Sequence, residues 1–295
     1  MRLHTRLIVS TVLAAAACSA AEAAFAWGSE GHRVTGLVAQ ELLSSKARLR
    51  LNDLIPGGDL GDIGNYMDIN RPNLLELVPG IDKWHYDNQP VCQTKTYEQY
   101  CPKGECASAR VPALMKVLSE SANPPEVRAM ALRLLVHIVG DVQQPLHAAD
   151  DSDLGANQKT VQLPGATGTR RLHAVWDTDL VRMALQGSTE PDYAHQLVVK
   201  YHGKEMREWQ KGDIKDWMAD SWQVSQSNVY AKLPTFVCGQ AWTATAVPLP
   251  QEYVDTAVGV IPVQLAKGGA RIAAVLNRAL DPNPYGEVPP PATPK

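Results

Sequence analysis

Three things are scarce in this 295-residue chain, and each absence removes a class of protein. Long apolar runs are the first. One occupies residues 7–18, behind Arg2 and Arg6 and ahead of the small-residue stretch ending Ala24-Phe25-Ala26. It is too short to cross a bilayer comfortably. A positive start, a short apolar core and an A-x-A site read instead as a secretory signal peptide over residues 1–26, cleaved after Ala26. Lipoprotein processing at Cys18 is the alternative, but Ala15-Ala16-Ala17 lack the leucine expected before such a site. No later segment reads as a membrane span, so a soluble, exported chain is expected, periplasmic or extracellular.

A basic excess is the second absence. Lys and Arg total 28 against 31 Asp and Glu, a formal net charge of -3, and Arg2, Arg6 and Glu22 leave with the signal. The mature chain is therefore one unit more negative, which excludes the broad positive field of a protein that coats nucleic acid. An enzyme acting on nucleic acid remains permitted, because bound cations add local positive charge that no sequence count includes.

The third is any C-x-x-C pair. With Cys18 removed, Cys92, Cys101, Cys106 and Cys238 remain. An even number in an exported chain favours two disulfides, with three possible pairings, over a zinc-cysteine site.

What is present reads as helix. Apolar residues recur at helical spacing over 29–54, where Pro56-Gly57-Gly58 breaks the pattern, and helices are also expected over 108–121, 178–186, 193–209, 213–230 and 251–280. Asn123-Pro124-Pro125 starts a strongly apolar central helix running from Glu126 through Met130, Leu134, His137, Ile138 and Asp141. Residues 87–107 and 148–172 read as long loops, which in a compact domain are often functional. Residues 160–163 are expected to pair with 170–172 as a short β-hairpin. The fold class is thus all-α, one domain over 27–281 with long loops and that hairpin, followed by a proline-rich, disordered tail over 282–295. No internal repeat or linker divides it.

Chemistry concentrates in two motifs. In HIVGDVQQPLH, His137 and Asp141 are four residues apart and share a helical face; Pro145 is expected to end the helix, with His147 beyond it. LHAVWD repeats the spacing with His173 and Asp177. Imidazole nitrogens and carboxylate oxygens on adjacent turns can converge on one divalent cation, and this mixture suits zinc. A lone histidine on an apolar helix is more often a satisfied core residue. Accumulation reverses that preference: of eight histidines, His4 lies in the signal and His195 and His202 on an ordinary amphipathic segment. His32, His85, His137, His147 and His173 lie in compact motifs with Asp68, Asp141 and Asp177 in or between them. The set reads as a multinuclear metal centre.

WGSEGH at 27–32, YMDINR at 66–71, WHY at 84–86, HIVGDVQQPLH at 137–147, GAN at 155–157 and LHAVWD at 172–177 resemble, in order, the secreted zinc-dependent single-strand nucleases of fungi, plants and bacteria. Bacterial zinc phospholipase C enzymes are more distant relatives of that family. The resemblance implies three zinc ions: one held by Asp68, His85, His137 and Asp141; one by His147, His173 and Asp177; and one by His32, a bridging Asp141, and the α-amine and carbonyl of Trp27. Cleavage after Ala26 would then create a ligand. It further implies that Asp68 orients the attacking water, Arg71 contacts phosphoryl oxygens, Asn157 hydrogen-bonds phosphate or base, and Tyr86 stacks on an unpaired base. Ala156 stands where the family usually has a second glycine. Asp87 lies two residues after His85 rather than the three common among fungal members, and is not carried over. The implied disulfides are Cys92–Cys238 and Cys101–Cys106. The implied activity is hydrolysis of single-stranded DNA and RNA to 5′-phosphate products, with 3′-nucleotidase activity, by a monomer without a stable protein partner. A zinc phospholipase C and a non-catalytic periplasmic zinc-binding protein are the alternatives; WGSEGH and YMDINR favour the nuclease.

Overall fold

The computed structural model describes residues 27–234, 236–238, 240 and 245–281. The expected signal segment and the tail over 282–295 lie outside them. The described chain is predominantly helical, as its periodicity implies, with interruptions that the periodicity conceals.

The run over 29–54 is two helices, α1 (Ser29–Glu41) and α2 (Ser45–Leu54). Ser44 breaks it: its hydroxyl accepts from the Ala47 amide at 3.1 Å as an N-cap, while its own amide donates to Asn277 Oδ1 at 2.9 Å. Three short helices follow, α3 (Leu60–Gly64), α4 (Tyr66–Ile69) and α5 (Arg71–Leu77), so Asp68 and Arg71 sit on consecutive elements rather than one helix. After a 3-10 turn at Ile81–His85 come β1 (Gln89–Pro90), α6 (Tyr97–Tyr100), α7 (Ala107–Ser119) and the central α8 (Pro125–Asp141). Pro145 does not end α8. The helix already stops at Asp141, and Pro145 opens α9 (Pro145–Ala148), where a missing N–H costs nothing.

The second long loop holds β2 (Ala149–Asp150), β3 (Thr160–Gln162) and β4 (Arg170–Arg171). The expected hairpin is present, Thr160 opposite Arg171 and Val161 opposite Arg170, and β5 (Val247–Pro248) adds a third, parallel strand beside β3. Gln89–Pro90 pairs in parallel with Ala149–Asp150, tying the two long loops together. Beyond α10 (Leu172–Ala174), a π-helical turn at Val175–Asp179 leads into α11 (Leu180–Leu185). The expected helix over 193–209 is divided by Gly203 at φ 77° into α12 (Glu190–Lys200) and α13 (Lys204–Trp209). That over 213–230 is α14 (Ile214–Val224), continued by a π-helical turn and a 3-10 turn at Tyr230–Lys232.

The last helix, α15 (Gln251–Leu280), is long and apolar enough to cross a membrane by length and composition, against the expectation that no segment after the signal would be. Here it is the spine of the core. Its first half packs Ile261, Leu265 and Ala266 with Trp27, Val34, Val38 and Trp176, and its second half packs Ile272, Val275 and Leu276 with Leu132, Leu135 and Val139 of α8. Each such aliphatic side chain contributes about 1.5–3 kcal/mol on full burial. Disulfides join Cys92 to Cys238 and Cys101 to Cys106.

Candidate metal centre

α1 and α3 approach so closely that a Cβ on Gly64 would lie 2.5 Å from the His32 carbonyl oxygen. Only glycine fits, and the Gly64 carbonyl is thereby free to accept from His137 Nδ1 at 2.8 Å. Two further histidines are held alike. The His85 carbonyl accepts from His147 Nδ1 at 2.9 Å, and the Gly155 carbonyl accepts from His173 Nδ1. Because a carbonyl only accepts, each Nδ1 carries the proton, and in the neutral ring each Nε2 offers a lone pair. His147 Nε2 and His173 Nε2 face each other at 3.2 Å; His137 Nε2 lies 3.2 Å from Asp141 Oδ2. His85 turns Nδ1 inward instead, 2.8 Å from Asp141 Oδ2 and 3.0 Å from His137 Nε2.

The carboxylates complete the arrangement. Asp141, fully buried at the end of α8, points Oδ1 toward His32 Nε2 at 3.1 Å and Oδ2 toward His85 and His137, so its two oxygens serve two neighbouring groups. Asp68 is 7% exposed, with one oxygen 3.8 Å from His137 Nε2 and the other 3.8 Å from His32 Nε2. Asp177 Oδ2 lies 3.4 Å from His173 Nε2, while Oδ1 accepts from Gln144 Nε2 at 2.6 Å. Trp27 is wholly buried, its indole N–H donating to the Gly140 carbonyl at 3.0 Å, one residue before Asp141. The next amide, of Gly28, donates to the Asp177 carbonyl at 2.8 Å.

These side chains form three groups whose donor atoms lie within 4.8 Å of one another: His32, His137 and Asp141; Asp68, His85 and His137; His147, His173 and Asp177. The fit to zinc is good. Tetrahedral coordination with bonds of about 2.0–2.1 Å places donors about 3.3–3.4 Å apart, close to the separations above. Both ring nitrogens of His32, Asp68 Oδ2 and Asp141 Oδ1 are buried without a hydrogen-bond partner, a cost that a cation would remove.

Burial and charge set the proton inventory. Burial pushes His147 down to about 4, and burial reinforced by His147 pushes His173 down to about 3. Burial holds Asp177 well above the usual carboxylate range, despite the Gln144 hydrogen bond. Burial also disfavours charge on His137, but Asp141 and Asp68 outweigh it and push that imidazole up to about 9. Asp141 is correspondingly held well below the usual range, as His137 and His32 overcome its burial.

A cavity of about 330 Å³ opens over Asp68, His85, His147 and His173, and Arg71, Tyr86 and Asn157 also line it. A family model described as S1/P1 Nuclease matches residues 27–281. The chain belongs to the S1/P1 nuclease family. It is 27% identical to Nuclease S1 of Aspergillus oryzae over 283 residues, covering 90% of this chain and 96% of that one. Identity to Nuclease P1 of Penicillium citrinum is 29% over 273 residues, 85% and 97% of the two chains. Against Endonuclease 2 of Arabidopsis thaliana it is 24% over 265 residues, 85% and 90%.

In this member of the S1/P1 nuclease family the eight His and Asp residues singled out by sequence converge, and Trp27 is tied to two of their elements by its indole bond to the Gly140 carbonyl and by the neighbouring Gly28 amide bond to the Asp177 carbonyl. Grouping differs from the expected sets in two respects: His137 stands beside His32 as well as beside His85, and Asp141 groups with His32 and His137 rather than with Asp68 and His85. Asp87 is buried and accepts from the Ser108 amide and hydroxyl; its neighbour Asn88 lines the cavity instead. Asp82, Leu154 and Arg171 also line the cavity, and the Gly64, His85 and Gly155 carbonyls anchor the imidazoles, none of them marked as functional by its motif. Backbone acceptors leave no residue-type signal, although the helix-breaking Gly64 and the glycine of GAN mark two of them.

Proposed function

We propose that residues 27–281 form an exported zinc-dependent nuclease that hydrolyses single-stranded DNA and RNA, and also 3′-nucleotides, to leave 5′-phosphate or phosphate-free products respectively. Three carbonyl-anchored imidazoles carry this reading: His137 turns Nε2 toward Asp141, His173 turns Nε2 toward Asp177, and His147 turns Nε2 toward His173, the last two lining a cavity that also bears Arg71 and Tyr86. The names of the relatives, nucleases and endonucleases, support the substrate class.

The proposed ligands are Asp68, His85, His137 and Asp141 for one zinc, His147, His173 and Asp177 for a second, and His32, Asp141 and the Trp27 amine and carbonyl for a third. When bound, such cations lower the pKa of water and offset charge on a phosphodiester. This chain's own groups do the rest. Asp68, buried but bordering the cavity, orients the attacking water and accepts its proton. The Arg71 guanidinium binds the phosphoryl oxygens as charge grows on them. Tyr86 stacks on an unpaired base, which favours single strands. The Asn157 amide nitrogen already donates one hydrogen to the Leu154 carbonyl at 2.9 Å, leaving its second hydrogen for the substrate. Trp27 supplies an amine only after cleavage behind Ala26, because a peptide nitrogen has no available lone pair.

Arg71→Ala tests the reading. Removing a transition-state donor costs about 10²–10³ in kcat, and the expected result is a loss of that size on single-stranded DNA with zinc content unchanged. Full activity in Arg71→Ala would sink the mechanism. Turnover of phosphatidylcholine without cleavage of DNA or RNA would instead make the protein a phospholipase C. N-terminal sequencing of the purified protein should return Trp27 first.

A further inference from the structure

The segment 150–157 has a backbone that needs holding. Ser152, Leu154, Gly155 and Ala156 all have φ between 58° and 65°, and three of these are not glycine. Left-handed residues in such density persist only where surrounding contacts enforce them. Asp150 Oδ1 accepts from the Asp153 and Gly155 amides at 3.0 and 3.1 Å, and Asp153 Oδ1 accepts from Ala156 N at 2.8 Å. The Asp153 side chain is therefore the hub of the loop, and it is 3% exposed.

Two groups from outside the loop hold that hub. The ammonium of Lys159, a residue only 1% exposed, lies 3.1 Å from Asp153 Oδ2 and 3.3 Å from Asp151 Oδ2, with the Tyr230 ring centroid 5.6 Å away. Tyr230, brought in on the turn after α14, shares its hydroxyl hydrogen between the two Asp153 oxygens at 3.0 and 3.1 Å. An ammonium this deeply buried is tolerable only when paired, and removing it strands its carboxylates in a dry site. The consequence reaches the metal centre through Gly155, whose carbonyl fixes the His173 ring and whose own position is tight: a Cβ there would lie 2.7 Å from the Leu146 carbonyl oxygen.

We propose that Lys159 is a positioning residue of the metal centre: with Tyr230 it locks Asp153, and so keeps the loop presenting the Gly155 carbonyl to His173 Nδ1. This rests on reading His173 as a zinc ligand. Lys159 itself touches neither substrate nor cation.

The test compares Lys159→Met with Lys267→Met in the mature chain loaded with zinc. Lys267 is ion-paired to Asp220 at 2.8 Å on α15, and its replacement controls for loss of a half-buried ion pair in general. Zinc retention is read against a competing chelator, and the hydrogen-bonded Nδ1 proton of His173 is read by NMR. Loss of an outer partner of a ligating histidine weakens metal binding by about 10–100-fold. Lys159→Met is expected to release its weakest-held zinc at about tenfold lower chelator concentration, and to lose the slowly exchanging His173 Nδ1 signal. Lys267→Met should keep both. Tyr230→Phe, which deletes one hydroxyl and no charge, should move both readouts the same way by a smaller factor and serves if Lys159→Met does not fold. Zinc retention and a His173 signal equal to those of Lys267→Met in both loop variants would overturn the proposal alone. A wild-type chain that binds no zinc would overturn the metal reading as well.

Discussion

His137 and His173 are both buried imidazoles that donate Nδ1–H to a backbone carbonyl, yet in the metal-free chain they are driven in opposite directions. His137 faces two carboxylates, Asp141 and Asp68, which push it up to about 9 despite its burial. His173 faces a second imidazole and one carboxyl group, and is pushed down to about 3 by burial and by His147. Asp177, beside it, is raised by burial. One half of the centre therefore keeps its proton on an imidazole, and the other favours it on a carboxyl group. The ratio of carboxylates to imidazoles thus decides where a metal-free site stores its proton. Either half must give one up to bind a cation, so metal affinity falls in acid for both.

Asp141 is the residue on which the two-group character of the carboxylate-rich half depends. Asp141→Asn keeps the shape and removes the charge that two groups share. We expect zinc affinity of that half to fall by more than the about 100-fold that bounds loss of an outer partner, with nuclease activity abolished. Asp177→Asn should weaken only the His147–His173 group. Equal zinc loss from both variants, measured by metal analysis after graded chelation, would erase the distinction between the halves.

Acid and base should separate the halves in the metal-free protein. His147 and His173 have folded values of about 4 and about 3 against 6.5 for an unfolded histidine, so the unfolded state binds protons first as pH falls. Stability is then lost on going from pH 6.5 toward about 4. His137 has the opposite sign: its folded value of about 9 contributes stability that is complete below 6.5 and is lost as pH rises through about 9. A tenfold change in proton affinity corresponds to about 1.4 kcal/mol, so each limb amounts to a few kcal/mol. Thermal melts of chelator-treated protein should peak between these limits, and zinc should flatten the profile. A stability that climbs steadily from pH 4 to 9 would contradict the assignment of His137.

Much of this centre is legible in the sequence because its chemistry is carried by residue types. His137–Asp141 and His173–Asp177 announce themselves by a four-residue spacing, and five histidines in short motifs outweigh the bland reading of each. Helical periodicity likewise locates α8 and α15, whose apolar faces are wide. What stays hidden is carried by backbone or by distant partners. The break at Ser44 depends on Asn277, 233 residues away, which no local pattern can signal. Pro145 reads as a terminator because proline cannot continue a helix, whereas Asp141 ends α8 and Pro145 begins the next turn. The carbonyls of Gly64, His85 and Gly155 have no side-chain signature, although they decide which imidazole nitrogen faces inward.

Gln144 belongs to one half of the centre only, bonded to Asp177. Its side-chain oxygen accepts from the Leu146 amide at 2.6 Å, which assigns the nitrogen as the group that donates to Asp177 Oδ1. Asp177 is thereby turned so that Oδ2 faces His173. The adjacent Gln143 carbonyl accepts from Gln264 Nε2 of α15 at 2.9 Å, so the whole turn is braced against the core. Gln144→Leu keeps the bulk and removes both hydrogen bonds. A ligand left free to rotate should bind metal about tenfold less tightly, and the loss should fall on the His147–His173–Asp177 group while His137 keeps its pH response. Gln144→Glu replaces the donor with an acceptor beside a carboxylate and should weaken the same group further. If Gln144→Leu instead displaced zinc from both halves alike, the turn would be bracing the centre as a whole rather than aiming Asp177.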